Sequence, residues 1–175
     1  GHALTVCNGI VRMVFMGGGR SARWDDETMS DEFVKEAKAF SAENKAEPFM
    51  LYFSSQDIHV PRVPHPRFRG KTTLGYRGDA MVQFDWSTGE ILNALEQHGL
   101  TENTIVIFST DNGPESNAWP DGGNTPFYSE KAPTWEGGMR VPLLMKLPAK
   151  FEAGPLHNEN ISTAAFMPNY LSAVG

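Results

Sequence analysis

Thr104-Ile105-Val106-Ile107-Phe108-Ser109-Thr110 is an unbroken β-branched and apolar run, and Asp111-Asn112-Gly113 closes it. A run this short, bounded by a turn signal, has the composition of an interior strand. Asp111 and Asn112 then stand at the strand's carboxyl end, where open α/β sheets place their chemistry. Their side-chain oxygens are hard ligands of the kind that suit Ca²⁺ or Mg²⁺. Asp-Asn-Gly is also an ordinary turn, in which Asn and Gly accept positive φ. From these three residues alone the turn is the simpler reading, and the flanking sequence decides between the two.

Upstream of the strand, residues 78–98 carry Met81, Phe84, Thr88, Ile91 or Leu92, and Leu95 on one stripe, with Gly99 as a stop. That pattern predicts an amphipathic helix. Further back, Pro48 precedes Phe49-Met50-Leu51-Tyr52-Phe53, a second strand candidate. A helix to about Asn44, capped by Thr28 or Ser30, puts Phe33, Ala37 and Phe40 on its inner face. Downstream, Val141-Pro142-Leu143-Leu144-Met145-Lys146-Leu147 predicts a third strand, with Pro142 at its start or on an edge. Helix, strand, helix, strand and later strand give an α/β class: a mixed, largely parallel sheet flanked by helices. If strands 49–53 and 104–110 are parallel, the loops after Phe53 and Thr110 leave the sheet at the same edge. His59 in the first loop then approaches Asp111 and Asn112. Residues 1–24 read as loop-rich, and Gly17-Gly18-Gly19-Arg20 does not meet the spacing of a phosphate loop.

The bulk numbers narrow the function classes. A chain of 175 residues with 40% apolar content has one core to bury, which predicts one domain. The formal charge of −6 argues against a general nucleic-acid binder. No apolar run is long enough for a membrane span, and Gly1-His2-Ala3-Leu4-Thr5 lacks the charged and apolar regions of a signal peptide. A single cysteine, Cys7, excludes an internal disulfide and a multi-Cys zinc site. One basic stretch stands out: Arg62, Arg67, Arg69, Lys71 and Arg77, with His65 among them. It reads either as a solvated loop or as a subsite for an anionic polymer.

Three patterns share the predicted sheet edge. They are Asp57-Ile58-His59-Val60-Pro61, then Asp111-Asn112-Gly113, then Lys131-Ala-Pro-Thr-Trp-Glu136-Gly137-Gly138-Met-Arg140-Val-Pro142. With Asp85 inside the intervening helix, their order resembles the type I sulfatases of the alkaline-phosphatase superfamily. The resemblance is clearest over residues 30–175. It implies an alkaline-phosphatase-like fold, here a partial catalytic domain over residues 1–175. It also implies a sulfuric ester hydrolase acting on sulfate esters, on a sulfated carbohydrate or glycosaminoglycan.

Carried over residue by residue, the resemblance makes Asp111 and Asn112 two ligands of a divalent cation, Ca²⁺ with Mg²⁺ as the alternative. His59 and Lys131 become the pair that contacts the sulfate ester. A sulfate ester must be gripped through its non-bridging oxygens, and a metal, a Lys and a His can take up charge on the leaving oxygen. Each also has an ordinary alternative: a structural His beside prolines, a solvated Lys. Glu136, Gly137, Gly138 and Arg140 are expected to serve the fold, the glycines permitting a turn that brings Lys131 inward. His65 is expected to shape its loop.

Two departures matter. The family uses a formylglycine made from a C/S-x-P/A-x-R motif, and Cys7 is followed by Asn8, Gly9, Ile10 and Val11, with Arg12 one place too late. The family's early Asp pair has no matching position either, since Asp25-Asp26 follows Arg23-Trp24 rather than an apolar strand. The chain thus resembles the later part of the domain, is expected to be inactive alone, and Cys7 is expected to stay an ordinary thiol. Near the C-terminus, residues 161–175 resemble the family's closing helix. A phosphate or phosphonate monoester hydrolase of the same superfamily, and a non-catalytic anion-binding fragment, are the alternative functions. The family implies a periplasmic, secreted or lysosome-like compartment; oligomeric state is not legible in these residues.

Overall fold

The computed structural model describes residues 25–115 and 123–174. Cys7 and the triple glycine at 17–19 lie outside the described residues. The elements are α1 (Met29–Glu43), α2 (Gly75–Gln97), β1 (Val106–Ser109), α3 (Glu136–Met139), β2 (Leu143–Lys146) and α4 (Phe166–Val174), with 3-10 turns at Pro66–Phe68, Thr101–Asn103 and Thr163–Ala165. Both long helices fall where periodicity places them, within a few residues. The end of α2 shows why Gly99 is a stop. It adopts φ +69°, while Leu100 N–H donates to Leu95 O at 2.8 Å and Gly99 N–H to Glu96 O at 3.0 Å. This pair of bonds satisfies carbonyls that would otherwise be orphaned at the helix end.

The buried faces match the expected stripes only in part, sharing Ala37 on α1 and Leu95 on α2. On α1 the buried residues are Ser30, Val34, Ala37 and Ser41, while Phe33 is exposed. On α2 they include Ala80, Gln83, Ser87, Ala94 and Leu95, while Met81 is exposed. The two helices pack on each other, and the residues they bury are mostly small or polar. Polar residues are tolerated there because they are satisfied internally: Ser41 Oγ donates to Ala37 O at 2.8 Å and Ser87 Oγ to Gln83 O at 3.0 Å. The larger side chains of α2 turn elsewhere. Phe84 packs on Phe108 of β1 at 5.2 Å between ring centroids, a pairing worth about 1 kcal/mol beyond burial.

β1 and β2 pair antiparallel, Val106 opposite Lys146 and Ser109 opposite Leu143. Both strands were legible, and Pro142 lies just before β2. The third candidate, residues 49–53, is extended but hydrogen-bonds to no strand among the described residues. Its side chains still alternate, with Met50 and Tyr52 exposed and Leu51 and Phe53 partly buried. That is the period-2 pattern of a strand side by side with a core. Phe49 anchors it edge-on to Phe40 of α1 at 5.8 Å. The expected parallel partnership with 104–110 is therefore not a ladder in the described residues, although the alternation that suggested it is real.

The basic stretch is largely occupied by internal partners. Arg67 makes a bidentate pair with Asp31 at 2.6 and 3.0 Å and lies 4.3 Å over the Trp86 ring. Arg69 pairs with Glu27, and Arg62 Nε donates to Ile58 O at 3.3 Å. Exposed ion pairs contribute at most about 1 kcal/mol, but each one removes a cation from any anion-binding role. Arg67 and Arg69 thereby fasten the loop to α1 and the turn before it. Asp85 is exposed; the buried acid of α2 is Asp79, whose carboxylate accepts from Gly70 N–H at 2.8 Å and Thr72 N–H at 3.0 Å.

Candidate active site

His59 and Lys131 meet. Lys131 Nζ stands 3.2 Å from His59 Nε2, although the two residues are 72 positions apart. His59 Nδ1 is 2.7 Å from Val60 O. A carbonyl oxygen only accepts, so the Nδ1 proton is committed to Val60 and the Nε2 lone pair of the neutral ring faces the Lys131 ammonium. The imidazole is thus oriented by its own loop and presents its reactive nitrogen toward the second loop.

The 128–138 segment is built to hold Lys131 in place. Lys131 N–H donates to Pro114 O, and Gly113 N–H donates to Gly138 O, both at 2.8 Å. Gly137 N–H donates to Tyr128 O at 2.8 Å. Three backbones therefore stack: the turn after Asn112, the segment bearing Lys131, and α3. A Cβ on Gly113 would overlap Gly137 O, one on Gly137 would overlap Ser129 O, and one on Gly138 would overlap Glu130 O. The glycines of the Glu-Gly-Gly motif were expected to supply turn freedom. Neither has positive φ; they are required because no side chain fits between the stacked backbones. The positive φ values belong instead to Ser129 at +73° and Ala132 at +89°, which flank Lys131. Non-glycine residues held there cost about 1–3 kcal/mol each and persist where surrounding structure over-determines them.

Asp111 is exposed, and its Oδ1 lies 3.4 Å from Thr110 Oγ1. Asn112 Nδ2 donates to Gly113 O at 2.8 Å, which commits the amide nitrogen to the turn and leaves the side-chain oxygen to accept. Both are hard oxygen donors at the end of β1, linked through Gly113 and Gly138 to the Lys131 segment. Among the described residues there is no group of three or more His, Cys, Asp or Glu that could hold a metal. Ca²⁺ takes six to eight oxygens, so any ion held by Asp111 and Asn112 draws most of its shell from other groups. A cavity of about 360 Å³, lined by residues that include Leu92, Glu96, Thr101 and Lys146, lies at the far end of α2 and includes neither His59 nor Lys131.

Sequence reading missed the support beneath His59. Asp57 Oδ2 accepts from Ser30 Oγ at 2.8 Å and from Gln83 Nε2 at 3.1 Å, and Oδ1 accepts from Gln83 Nε2 at 3.2 Å. Burial pushes the Asp57 carboxyl above the usual carboxylate range, and the bonds from Gln83 and Ser30 pull it partly back. Because the native value is the raised one, folding takes up protons at this group. Its stability contribution is full below the unfolded carboxyl range, near pH 3.9, and is lost as pH rises through the raised native value. Asp57→Asn cannot ionise and should not show that loss. The melting temperature of the variant relative to wild type is therefore expected to climb as pH rises from about 4; a difference that stays flat with pH would show that Asp57 ionisation costs nothing in the fold.

The chain belongs to the sulfatase family: the family model described as Sulfatase matches residues 7–175. It is 47% identical over 160 residues to an N-acetylgalactosamine-6-O-sulfatase of Bacteroides thetaiotaomicron, a match covering 86% of this chain and 31% of the relative. It is 37% identical over 156 residues to human arylsulfatase H, covering 86% of this chain and 28% of that one. Among solved structures, one described with the metabolism of multiple glycosaminoglycans by Bacteroides thetaiotaomicron superposes with a TM-score of 0.73 at 47% identity, covering 83% of this chain and 32% of the other. A Pseudoalteromonas sulfatase superposes with a TM-score of 0.71 at 31% identity, covering 80% and 30%. The fold class is accordingly that of the alkaline-phosphatase-like sulfatases, of which these residues form part. The chain spans about a third of the length of these relatives, and its named relatives are sulfuric ester hydrolases.

Proposed function

We propose that the whole protein hydrolyses sulfate esters on a carbohydrate, with a 6-sulfated N-acetylgalactosamine as the first substrate to test. The observation that carries this reading is the 3.2 Å approach of Lys131 Nζ to His59 Nε2 from two separate loops. A cation beside an imidazole is suited to a sulfate monoester, a monoanion whose leaving oxygen gains charge as its S–O bond breaks: Lys131 binds a non-bridging oxygen, and His59, once it has also taken a proton at Nε2, gives that proton to the leaving sugar oxygen. In this reading Asp111 and Asn112 hold part of the shell of a Ca²⁺ or Mg²⁺ ion, which when bound adds positive charge against the sulfate oxygens. Attack on sulfur falls to a group outside the His59–Lys131 pair. The family's nucleophile is a formylglycine, whose C/S-x-P/A-x-R motif is not met in these 175 residues, so by itself this chain is proposed to be inactive, with Cys7 an unmodified thiol.

The 47% identity to an N-acetylgalactosamine-6-O-sulfatase supports both the ester and the sugar class. Matched 6-sulfate and 6-phosphate esters of N-acetylgalactosamine, given to the whole protein with Ca²⁺ supplied, test it. Sulfate release exceeding phosphate release is expected. Preferential phosphate release would make the protein a phosphate monoester hydrolase on the same scaffold, and release of neither would overturn the reading for this substrate.

A further inference from the structure

We propose that Gln83 and Ser30, acting through the Asp57 carboxylate, are positioning residues that set where the His59 imidazole stands against Lys131. The inference rests on the sulfatase reading only for its kinetic arm. Its geometry is independent of that reading.

Asp57 is the second residue of the turn Gln56-Asp57-Ile58-His59, closed by His59 N–H donating to Gln56 O at 3.0 Å. Holding the Asp57 side chain therefore holds the pitch of a four-residue turn that ends on His59. Three side chains converge on that carboxylate. Ser30 reaches it from the first turn of α1 at 2.8 Å, Gln83 from the middle of α2 at 3.1 and 3.2 Å, and Gln56 Nε2 lies 3.5 Å away within the turn. Gln56 Nε2 also donates to Ser30 Oγ. Gln83 is fully buried, and its other end is used as well: Gln83 Oε1 accepts from His65 N–H at 2.8 Å. One helical side chain thus clamps the loop on both sides of His59, at Asp57 and at His65.

The chemistry of the cluster argues for a positioning role over simple packing. A half-buried carboxylate such as Asp57, held only by neutral donors, is costly relative to an apolar residue of similar size. It does one thing an apolar residue cannot: it accepts several directional bonds at once, and so fixes orientation as well as location. The two helices that supply the donors pack on each other. The His59 side chain is exposed, with one bond to its own neighbour Val60 and one contact to Lys131. Its placement is therefore inherited from Asp57. A misplacement of about 1 Å at a reacting group can cost on the order of a hundredfold in rate.

The test follows the His59 ring in the whole protein by its carbon-bound proton resonances, assigned by their disappearance in His59→Ala, together with steady-state kinetics. Gln83→Ala is expected to shift the His59 resonances and to lower kcat by about tenfold with KM little changed, as befits a group that acts in the transition state. In a His59→Ala background the same substitution should cost almost nothing further, because its effect runs through His59. Ser87→Ala is the control for structural damage: it removes a buried hydrogen bond to the Gln83 backbone carbonyl, one turn along α2, while Ser87 hydrogen-bonds to neither Asp57 nor the loop, and it should leave the His59 resonances in place. If Gln83→Ala does not fold, Ser30→Ala is read by the same criteria, with Ser30→Thr expected to restore the wild-type resonance position. Unshifted His59 resonances in the folded variant overturn the proposal, as does an equal loss of rate with and without His59. If the wild-type protein hydrolyses no sulfate ester, the proposed function falls and the resonances alone decide this inference.

Discussion

Lys131→Ala in the whole protein is expected to lower kcat/KM for a sulfate ester by about a hundredfold or more, the loss found when a preorganised donor to developing charge is removed. The fall should appear in kcat, with KM changed much less, if the ammonium stabilises charge that grows only as the ester bond breaks. Folding should survive. The substitution keeps the Lys131 N–H to Pro114 O bond, and the side chain is partly exposed. Lys131→Arg is not a conservative rescue, because a planar fork does not reproduce a compact point charge 3.2 Å from His59 Nε2. An alanine variant with wild-type kinetics would return Lys131 to an ordinary solvated surface residue.

The pairing of His59 with Lys131 was legible because it depends on motif order. His-x-Pro, Asp-Asn-Gly and Lys with Glu-Gly-Gly occur in one sequence, and the structure brings the first and third into contact. The strand before Asp111 was legible for a different reason, since a continuous apolar run closed by a turn has few other solutions. What periodicity misjudged was which faces of α1 and α2 are buried. It favours large apolar side chains, whereas the buried residues of these helices include Ser30, Ala37, Ser41, Ala80, Gln83 and Ser87. Close approach of two helices rewards small volume, and polarity is tolerated when each group finds a partner. Neither condition can be evaluated from one helix at a time.

Asp57 and Gln83 were invisible for the same reason. In sequence, Asp57 is one acidic residue in a proline-bounded loop, and Gln83 interrupts an apolar helix. Only their meeting, 26 positions apart, turns two apparent exceptions into one satisfied network. Residues 49–53 show the converse limit. Their alternation is a local property and survives in the structure, but ladder pairing is non-local and depends on what lies beside the strand. The role of the Glu-Gly-Gly glycines was misassigned because sequence flags glycine for freedom of φ, whereas here the absence of a Cβ is what counts.

That distinction makes a prediction of opposite signs for one chemical change. Gly137→Ala is expected to destabilise the protein by about 3 kcal/mol or more, since overpacking between backbones that cannot rotate away costs more than the usual 1–3 kcal/mol of a crowded core. The added methyl would overlap the carbonyl oxygens of Ser129 and Tyr128, so relief requires the Lys131-bearing segment itself to move. Gly113→Ala should behave alike, because its methyl would overlap Gly137 O and strain the Gly113 N–H bond to Gly138 O. Gly89→Ala supplies the contrast. It lies in α2, has no positive φ, and its added methyl meets nothing within 4 Å, so helix propensity should dominate and stabilise by about 0.5–1 kcal/mol. Thermal or urea unfolding of the three variants reads the signs directly. In the two destabilised variants, activity measured well below the melting temperature should also fall, because the strain is released where Lys131 is held. A Gly137→Ala protein as stable as wild type would mean that the stacked backbones have room for a side chain, and the case for Lys131 as a rigidly presented cation would go with it.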